Sequence, residues 1–466
     1  MKKGLIASAV AITVAGALIA PHFIGQQVEQ LVHDQVAQLN QQAGYQASVQ
    51  EYQRGWFDAN AVIQVHFDMH ELDPAADMPA FPVFNINLAL THGPVVLSSQ
   101  GLLGLSAWQA DVAADTLREK LSWAEDQPIY RISGVSGLFG GHSFSDQMPA
   151  WRFQEKDNSH IEFSGYQGSG EILSQSMYYS GKAQSLLGEE NGERRLAAND
   201  LQIDMHADVG LATMMEGGFY DSKTRISLAQ LLISVPGTEI GEVDASGLAI
   251  EVKSSRNADK GTGNMELAYL ADSIAVAGQP ASDLIMQVQL QDINEGVLME
   301  YQKLARTGDA ADPQTMMQFI EENLPIALLD SPALNLAKLS GNLPMGKFDG
   351  YINSRIKLQD DAMDSDWMYR EFWLSNLIVD AQLNADKEVL LFVAKQQMLG
   401  QMQGAILAGQ IDEEQAEQMA VERAPMMLEM LQQQGLLVET PEGYQSTFSL
   451  KQGEALLNGE PMPLPL

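Results

Sequence analysis

From Gly44 onward the sequence alternates. Over residues 58–70, Ala59, Ala61, Ile63, Val65, Phe67 and Met69 are separated by Asn60, Gln64, His66, Asp68 and His70, with Val62 the exception. Successive strand side chains point to opposite faces, so this period of two predicts a long strand with one wet face. Phe84, Ile86, Leu88 and Leu90 repeat the pattern, as do residues 201–205, 248–252, 265–269, 284–290, 352–358 and 373–383. Turn residues punctuate these runs at Gly55, Gly93-Pro94, Gly140-Gly141, Gly192, Gly217-Gly218, Pro236-Gly237 and Gly261. Alternating runs joined by short turns predict an antiparallel sheet. No strand–helix alternation points to a parallel, doubly wound one.

Two stretches break the period. In 292–329, Ile293, Val297, Tyr301 and Leu304 share a helical face, and Pro313 suits the first turn of a second helix. In 386–434, Asp386 and Asp412 are cap candidates, and Pro425 predicts a kink or an end. Met398, Met402, Met419, Met426, Met427 and Met430 crowd this region, which fits either a filled core or an adaptable binding face. Strand-like pieces at 444–450 and 454–457 follow, with a hairpin spacing from Gly453 to Gly459 and an irregular Pro-rich end.

The N-terminus reads differently. Lys2 and Lys3 precede an uncharged run over 4–24, interrupted by Pro21 and His22, and the next acid is Glu29. A bilayer-spanning helix needs about 20 apolar residues, and lysines before the span place the N-terminus in the cytoplasm. Ala15-Gly16-Ala17 keeps a cleaved signal peptide open as the alternative. Ile24, Val28, Leu31, Val32, Val36 and Leu39 continue at helical spacing. The expected fold is mainly β with α insertions: an N-terminal transmembrane helix, then a long, curved antiparallel sheet and helical segments. Its expected parts are an anchor at 1–25, an amphipathic helix at 26–45, an antiparallel β region at 46–291, a helical insertion at 292–345, and strands plus a helical segment and C-terminal hairpin at 346–466.

Composition narrows the chemistry. The 466 residues hold 27 Lys+Arg against 61 Asp+Glu, a formal charge of −34, and no cysteine. Such a field repels phosphate backbones, which excludes nucleic acid. Without cysteine there is no disulfide, thiolate nucleophile or iron–sulfur cluster. His66, Asp68 and His70 look like metal ligands, but in a strand the two histidines stand about 13 Å apart, too far for one zinc. Ser136 lacks the glycine spacing of a nucleophile elbow. Ser354 and Lys357 match Ser-x-x-Lys in a strand, where they face opposite sides. Gly165, Gly168 and Gly170 read as a strand kink or bulge. The acids at 360, 361, 364 and 366 read as a solvated loop. No catalytic, cofactor-binding or metal-ligating residue is assigned.

Tyr52-Gln-Arg54-Gly55-Trp56-Phe57 resembles the Tyr-x-Arg-Gly-x-Phe signature of the YdgA family of bacterial proteins, and the His92-Gly93-Pro94 turn is similar to that family's next motif. Gly435-Leu436, Gly443-Tyr444, Leu450 to Gly453 and Leu457 to Gly459 resemble its C-terminal run, while Ala59 stands where the family usually carries Ser. The resemblance implies a protein anchored in the inner membrane of a Gram-negative cell and facing the periplasm, with no established activity to carry over. Read from the residues alone, Arg54 is a structural ion-pair partner beside a sharp turn at Gly55, or an anion or headgroup contact with Trp56 at the interface.

The expected role is non-enzymatic: envelope maintenance or assembly by binding other envelope components. The alternatives are a lipid or other hydrophobic ligand held in an apolar sheet groove, and an exported hydrolase acting on envelope polymers. Expected partners are the inner membrane through the N-terminal helix, an envelope protein or lipid, and a second copy of the chain, with no cofactor.

Overall fold

The structure, a computed structural model, describes residues 29–30, 32–34, 36–37, 39–41, 44–68, 83–97, 103–137, 141–154, 158–237, 241–307, 312–358 and 366–463. The expected anchor at 1–25 lies outside these residues, as do Met69, His70, Gly140, Asp360, Asp361 and Asp364. Among the described residues no helix is long and apolar enough to cross a membrane. The fold is mainly β, built on a large antiparallel sheet, and divides into two compact units: residues 1–226 with 296–321, and residues 227–295 with 322–466.

The first unit contains β1 (Tyr45–Arg54), β2 (Asp58–Phe67), β3 (Phe84–Leu97), β4 (Leu103–Ala113), β5 (Leu121–Ser122), β6 (Tyr130–Gly137), β7 (His142–Met148), β8 (Trp151–Gln154), β9 (Ser159–Phe163), β10 (Tyr166–Ile172), β11 (Met177–Glu190) and β12 (Glu193–Ala207), then helix α1 (Leu211–Glu216). Nine of these strands form one continuous ladder in the order β1, β2, β3, β4, β6, β7, β10, β11, β12. Register sorts the side chains onto two faces. One row across the ladder reads Arg54, Ala59, Leu90, Trp108, Gly134, Phe144, Gly170, Tyr179, Met205. The row beside it, on the other face, reads Gln53, Asn60, Ala89, Gln109, Ser133, Ser145, Ser169, Ser180, Asp204. The period of two in the sequence thus becomes one apolar and one polar face.

Strand β13 (Ser222–Val235) carries the chain on to the second unit. This unit contains β14 (Gly241–Asn257), β15 (Thr262–Val276), β16 (Gln279–Asn294), β17 (Ala333–Leu343), β18 (Gly346–Ile356), β19 (Leu377–Ala385), β20 (Val438–Thr440), β21 (Gly443–Lys451), β22 (Glu454–Leu457) and β23 (Glu460–Pro461). Nearly all of helix α2 (Glu295–Thr307) and the first half of α3 (Pro313–Leu329) belong to the first unit, while the rest of α3, α4 (Arg370–Asn376), α5 (Lys387–Leu407) and α6 (Glu413–Gln433) belong to the second. Residues 292–345 therefore hold two helices followed by a strand. Two-residue turns with both residues at positive φ close tight hairpins: Asn191 (54°) and Gly192 (81°) between β11 and β12, Gln452 (55°) and Gly453 (80°) between β21 and β22. Their twist matches that of the strands they join.

Helices α5 and α6 form a hairpin seamed by small residues: Ala394, Ala416, Ala420 and Ala424 are buried, and Lys395 Nζ meets a Glu417 carboxylate oxygen at 2.6 Å. Asp412 caps α6 by accepting the Gln415 N–H at 2.7 Å. Asp386 holds the cap position of α5, but its carboxylate accepts the Lys347 N–H at 2.8 Å and ties the helix start to β18 instead. Pro425 does not end α6. Pro425 and Val421, four residues before it, are both exposed, so the carbonyl that the proline leaves without its donor belongs to the solvent side of the helix. Of the six clustered methionines, Met426 and Met430 are exposed and the other four half-buried.

Candidate functional site

The two N-terminal motifs meet. Gly55 and Asp58 close the turn between β1 and β2, the Gly55 N–H donating to the Asp58 carbonyl at 2.8 Å. A Cβ at Gly55 would stand 2.9 Å from Asp58 Cγ, so glycine lets this carboxylate fold over the turn. The Phe57 carbonyl accepts the His92 N–H at 2.8 Å, joining the turn to β3. Phe57 lies against Gly93, where a Cβ would make only ordinary contact at 3.5 Å. Trp56 is 53% exposed, and the Pro94 side chain lies outside the described residues. On β1, Arg54 pairs with Glu29 at 3.0 Å and Tyr52 sits 6.3 Å, ring to ring, from His33. Glu29 and His33 are one helical turn apart and Tyr52 and Arg54 share a strand face, so the helical residues after position 28 lie along β1. The structural reading of Arg54 therefore has a partner. Both side chains of this pair are partly exposed, which limits it to about 0–1 kcal/mol.

His92 is 1% exposed, and neither ring nitrogen has a hydrogen-bond partner of good geometry. Burial pushes its pKa below the ordinary 6.5, against the pull of the Asp58 backbone oxygen and carboxylate and aided by Arg54. Burial thus favours the uncharged imidazole.

Two further features stand out. The first is the apolar face of the second unit. Its middle row reads Val252, Leu267, Val288, Leu336, Ile352, Ala381, Phe448, Leu457 across eight strands. The flanking rows run from Ile250 through Tyr269, Met286, Leu339, Gly350 and Leu383 to Ser446, and from Ser254 through Met265, Leu290, Leu334, Ser354, Val379 and Leu450 to Ala455. No charged residue interrupts these three rows. Ile250, Met265, Tyr269, Met286, Leu334, Ile352 and Leu383 nonetheless stand 38% to 55% exposed. The opposite face carries Lys253, Glu266, Gln289, Asn335, Asn353, Asp380 and Ser449, with Lys253 and Gln289 both bonded to the Glu266 carboxylate.

The second is a polar island on the apolar face of the first unit. Asp146 is 6% exposed. The Tyr130 hydroxyl donates to it at 2.8 Å, the Tyr179 hydroxyl lies 3.0 and 3.2 Å from its two oxygens, and Tyr166 bonds Tyr179. Burial raises the pKa of all three tyrosines. Room for the rings comes from glycine: a Cβ at Gly168 would lie 2.8 Å from Tyr179 Cζ, one at Gly181 2.6 Å from Tyr166 Cζ, and one at Gly134 2.6 Å from Trp108. Strand β10 keeps regular register with β7 and β11 on both sides, so Gly168 and Gly170 make space for aromatic rings rather than a kink or bulge.

The family model for DUF945, bacterial proteins of unknown function, matches residues 1–465. The chain belongs to the DUF945 family. No curated protein and no solved structure matches it. In this DUF945 chain, sequence reasoning located the junction residues from Tyr52 to Gly93 but passed over Asp146 and its tyrosines, which are scattered along the sequence and converge only through the ladder. Among the described residues no three His, Asp or Glu side chains gather to hold a metal ion. The Ser354 hydroxyl is committed to the Leu334 carbonyl.

The buried His92 gives a pH dependence with a definite sign. Its folded pKa lies below the unfolded 6.5, so its favourable contribution is full above 6.5 and is lost as pH falls through 6.5 toward the folded value. Urea midpoints measured from pH 7.5 to 5 are expected to decline for the native chain and to decline less for His92→Phe. Parallel declines would assign the acid sensitivity elsewhere.

Proposed function

We propose that this chain is a non-enzymatic lipid-binding protein of the bacterial envelope, held at the inner membrane by its N-terminal span with its body in the periplasm. The observation that carries the reading is the set of seven exposed apolar side chains spread over three adjacent rows on one face of the second unit. Three rows across eight strands describe a strip roughly 34 Å by 13 Å, from strand spacing and rise. A contiguous apolar surface of that extent supports a binding site there, since the largest apolar patch of a soluble protein is often functional.

Acyl chains fit it better than a polar ligand. The backbone donors of the ladders are spent on one another, and the side chains of the strip are nearly all hydrocarbon or thioether, so the surface offers burial and little directional bonding. Each buried methylene is worth about 0.8 kcal/mol, so ten supply roughly 8 kcal/mol before the cost of association. The resemblance to the YdgA family and the 4–24 run support the location. The charge of −34 repels the body from anionic headgroups, which leaves attachment to the span.

A charge in the middle of the strip tests the reading. Ile352→Asp in the full chain is expected to weaken binding of a fluorescent fatty acid at least tenfold, while Asn353→Asp, one residue on and facing the other way, leaves it unchanged. Equal affinities in both variants would remove the strip from the binding site.

A further inference from the structure

The polar face of the first unit carries a site of different chemistry. An open cavity of about 820 Å³ lies over β7, β10, β11 and β12, within the 300–1,000 Å³ typical of small-molecule sites. Its floor is two adjacent rows. One is Ser145, Ser169, Ser180 and Asp204; the other is Ser143, Glu171, Tyr178 and His206. The Tyr178 and His206 rings stack face to face, centroids 4.6 Å apart at an interplanar angle of 16°, so that His206 covers one face of Tyr178 and braces it as an aromatic platform. Tyr178 is exposed, so the platform is open to a ligand. Asp204 is fixed in place, accepting from Ser180 at 2.8 Å and from Gln202 at 2.7 Å.

We infer that this cavity binds a neutral saccharide. An aromatic plate flanked by hydroxyls and carboxylates is the complement of a pyranose ring, which has an apolar C–H face and a rim of hydroxyl donors and acceptors. The plate supplies apolar contact area. The carboxylates of Asp204 and Glu171 accept sugar hydroxyls in charge-assisted bonds. The charge pattern selects against acidic sugars: Glu171, Asp204 and Asp208 surround the plate, Asp208 standing 3.0 Å from His206 Nε2. Lys223 and Arg225 line the cavity but already have partners within the chain. The site is independent of the apolar strip, which lies in the other unit.

Saturation-transfer NMR on the full chain tests it with maltose and N,N′-diacetylchitobiose as neutral probes and glucuronic acid as the anionic one. Transfer to at least one neutral disaccharide is expected, with the C–H protons of one ring face enhanced most, and little to glucuronic acid. Tyr178→Ala is expected to reduce the signal at least fivefold, whereas Tyr178→Phe, which keeps the ring, retains it. Asn353→Ala, in the other unit, serves as the folded control and leaves it unchanged. No transfer to either neutral sugar, equal transfer to glucuronic acid, or full signal from Tyr178→Ala would overturn the inference.

Discussion

Gly181→Ala is expected to destabilise the first unit by about 3 kcal/mol, within the range for forcing an extra methyl into a packed site and breaking the hydrogen bonds beside it. The new Cβ would sit 2.6 Å from Tyr166 Cζ, and that ring cannot withdraw without leaving the Tyr179 hydroxyl it bonds. Gly168→Ala, 2.8 Å from Tyr179 Cζ, is expected to do the same. The contrast is Gly400, which lies inside α5 with open space around its missing Cβ. There Ala removes helix-interior flexibility and is expected to stabilise by roughly 0.5–1 kcal/mol. Urea titration of the three variants checks the order; a Gly181→Ala midpoint equal to that of the native chain would mean the rings do not depend on the glycines.

Asp146→Ala is the second large effect. It removes the acceptor for the part-buried Tyr130 and Tyr179 hydroxyls and leaves Tyr179 bonded to Tyr166 alone, at a cost of about 3 kcal/mol, since hydrogen bonds to a charged group are worth roughly 1.5–3 kcal/mol. Asp146→Asn keeps an acceptor and is expected to recover about half. The tyrosines supply a spectroscopic check. All three have folded pKa values above the ordinary 10.0, so their stabilising contribution is present below pH 10 and is lost as pH rises above it. Tyrosinate absorbance is expected to show Tyr130, Tyr166 and Tyr179 ionising above the ordinary pH 10. In Asp146→Asn, Tyr130 and Tyr179 lose the neighbouring carboxylate that raises them and titrate earlier. Tyrosines that ionise together near pH 10 in the native chain would contradict a buried cluster.

Much of the sheet was legible because alternation is a local property. The run from Ala59 to Phe67 states which side chains share a face before any partner strand is known, and Gly192 states a turn, which the structure closes as a tight hairpin with Asn191. The cap at Asp412 is likewise local. Features that depend on partners were not legible. Gly168 and Gly170 read as a kink because the rings above them arrive from Tyr179 on β11 and Phe144 on β7. Asp386 read as a cap because Lys347, the donor it prefers, is 39 residues away. The candidate strip was half legible: Ile250, Met265, Tyr269, Met286, Ile352 and Leu383 all fall on alternating runs. Alternation assigns a face without saying whether anything covers it, and their exposure emerges only from the folded arrangement.

A photo-crosslinking residue placed at Ile352 and, separately, at Asn353 tests the lipid-binding claim most directly. The two positions are adjacent on β18 and face opposite sides of the sheet. Irradiation of intact cells followed by mass spectrometry of the purified full chain is expected to find lipid attached at position 352 and none at 353. Protein adducts without lipid at 352, or lipid captured equally at both positions, would contradict it.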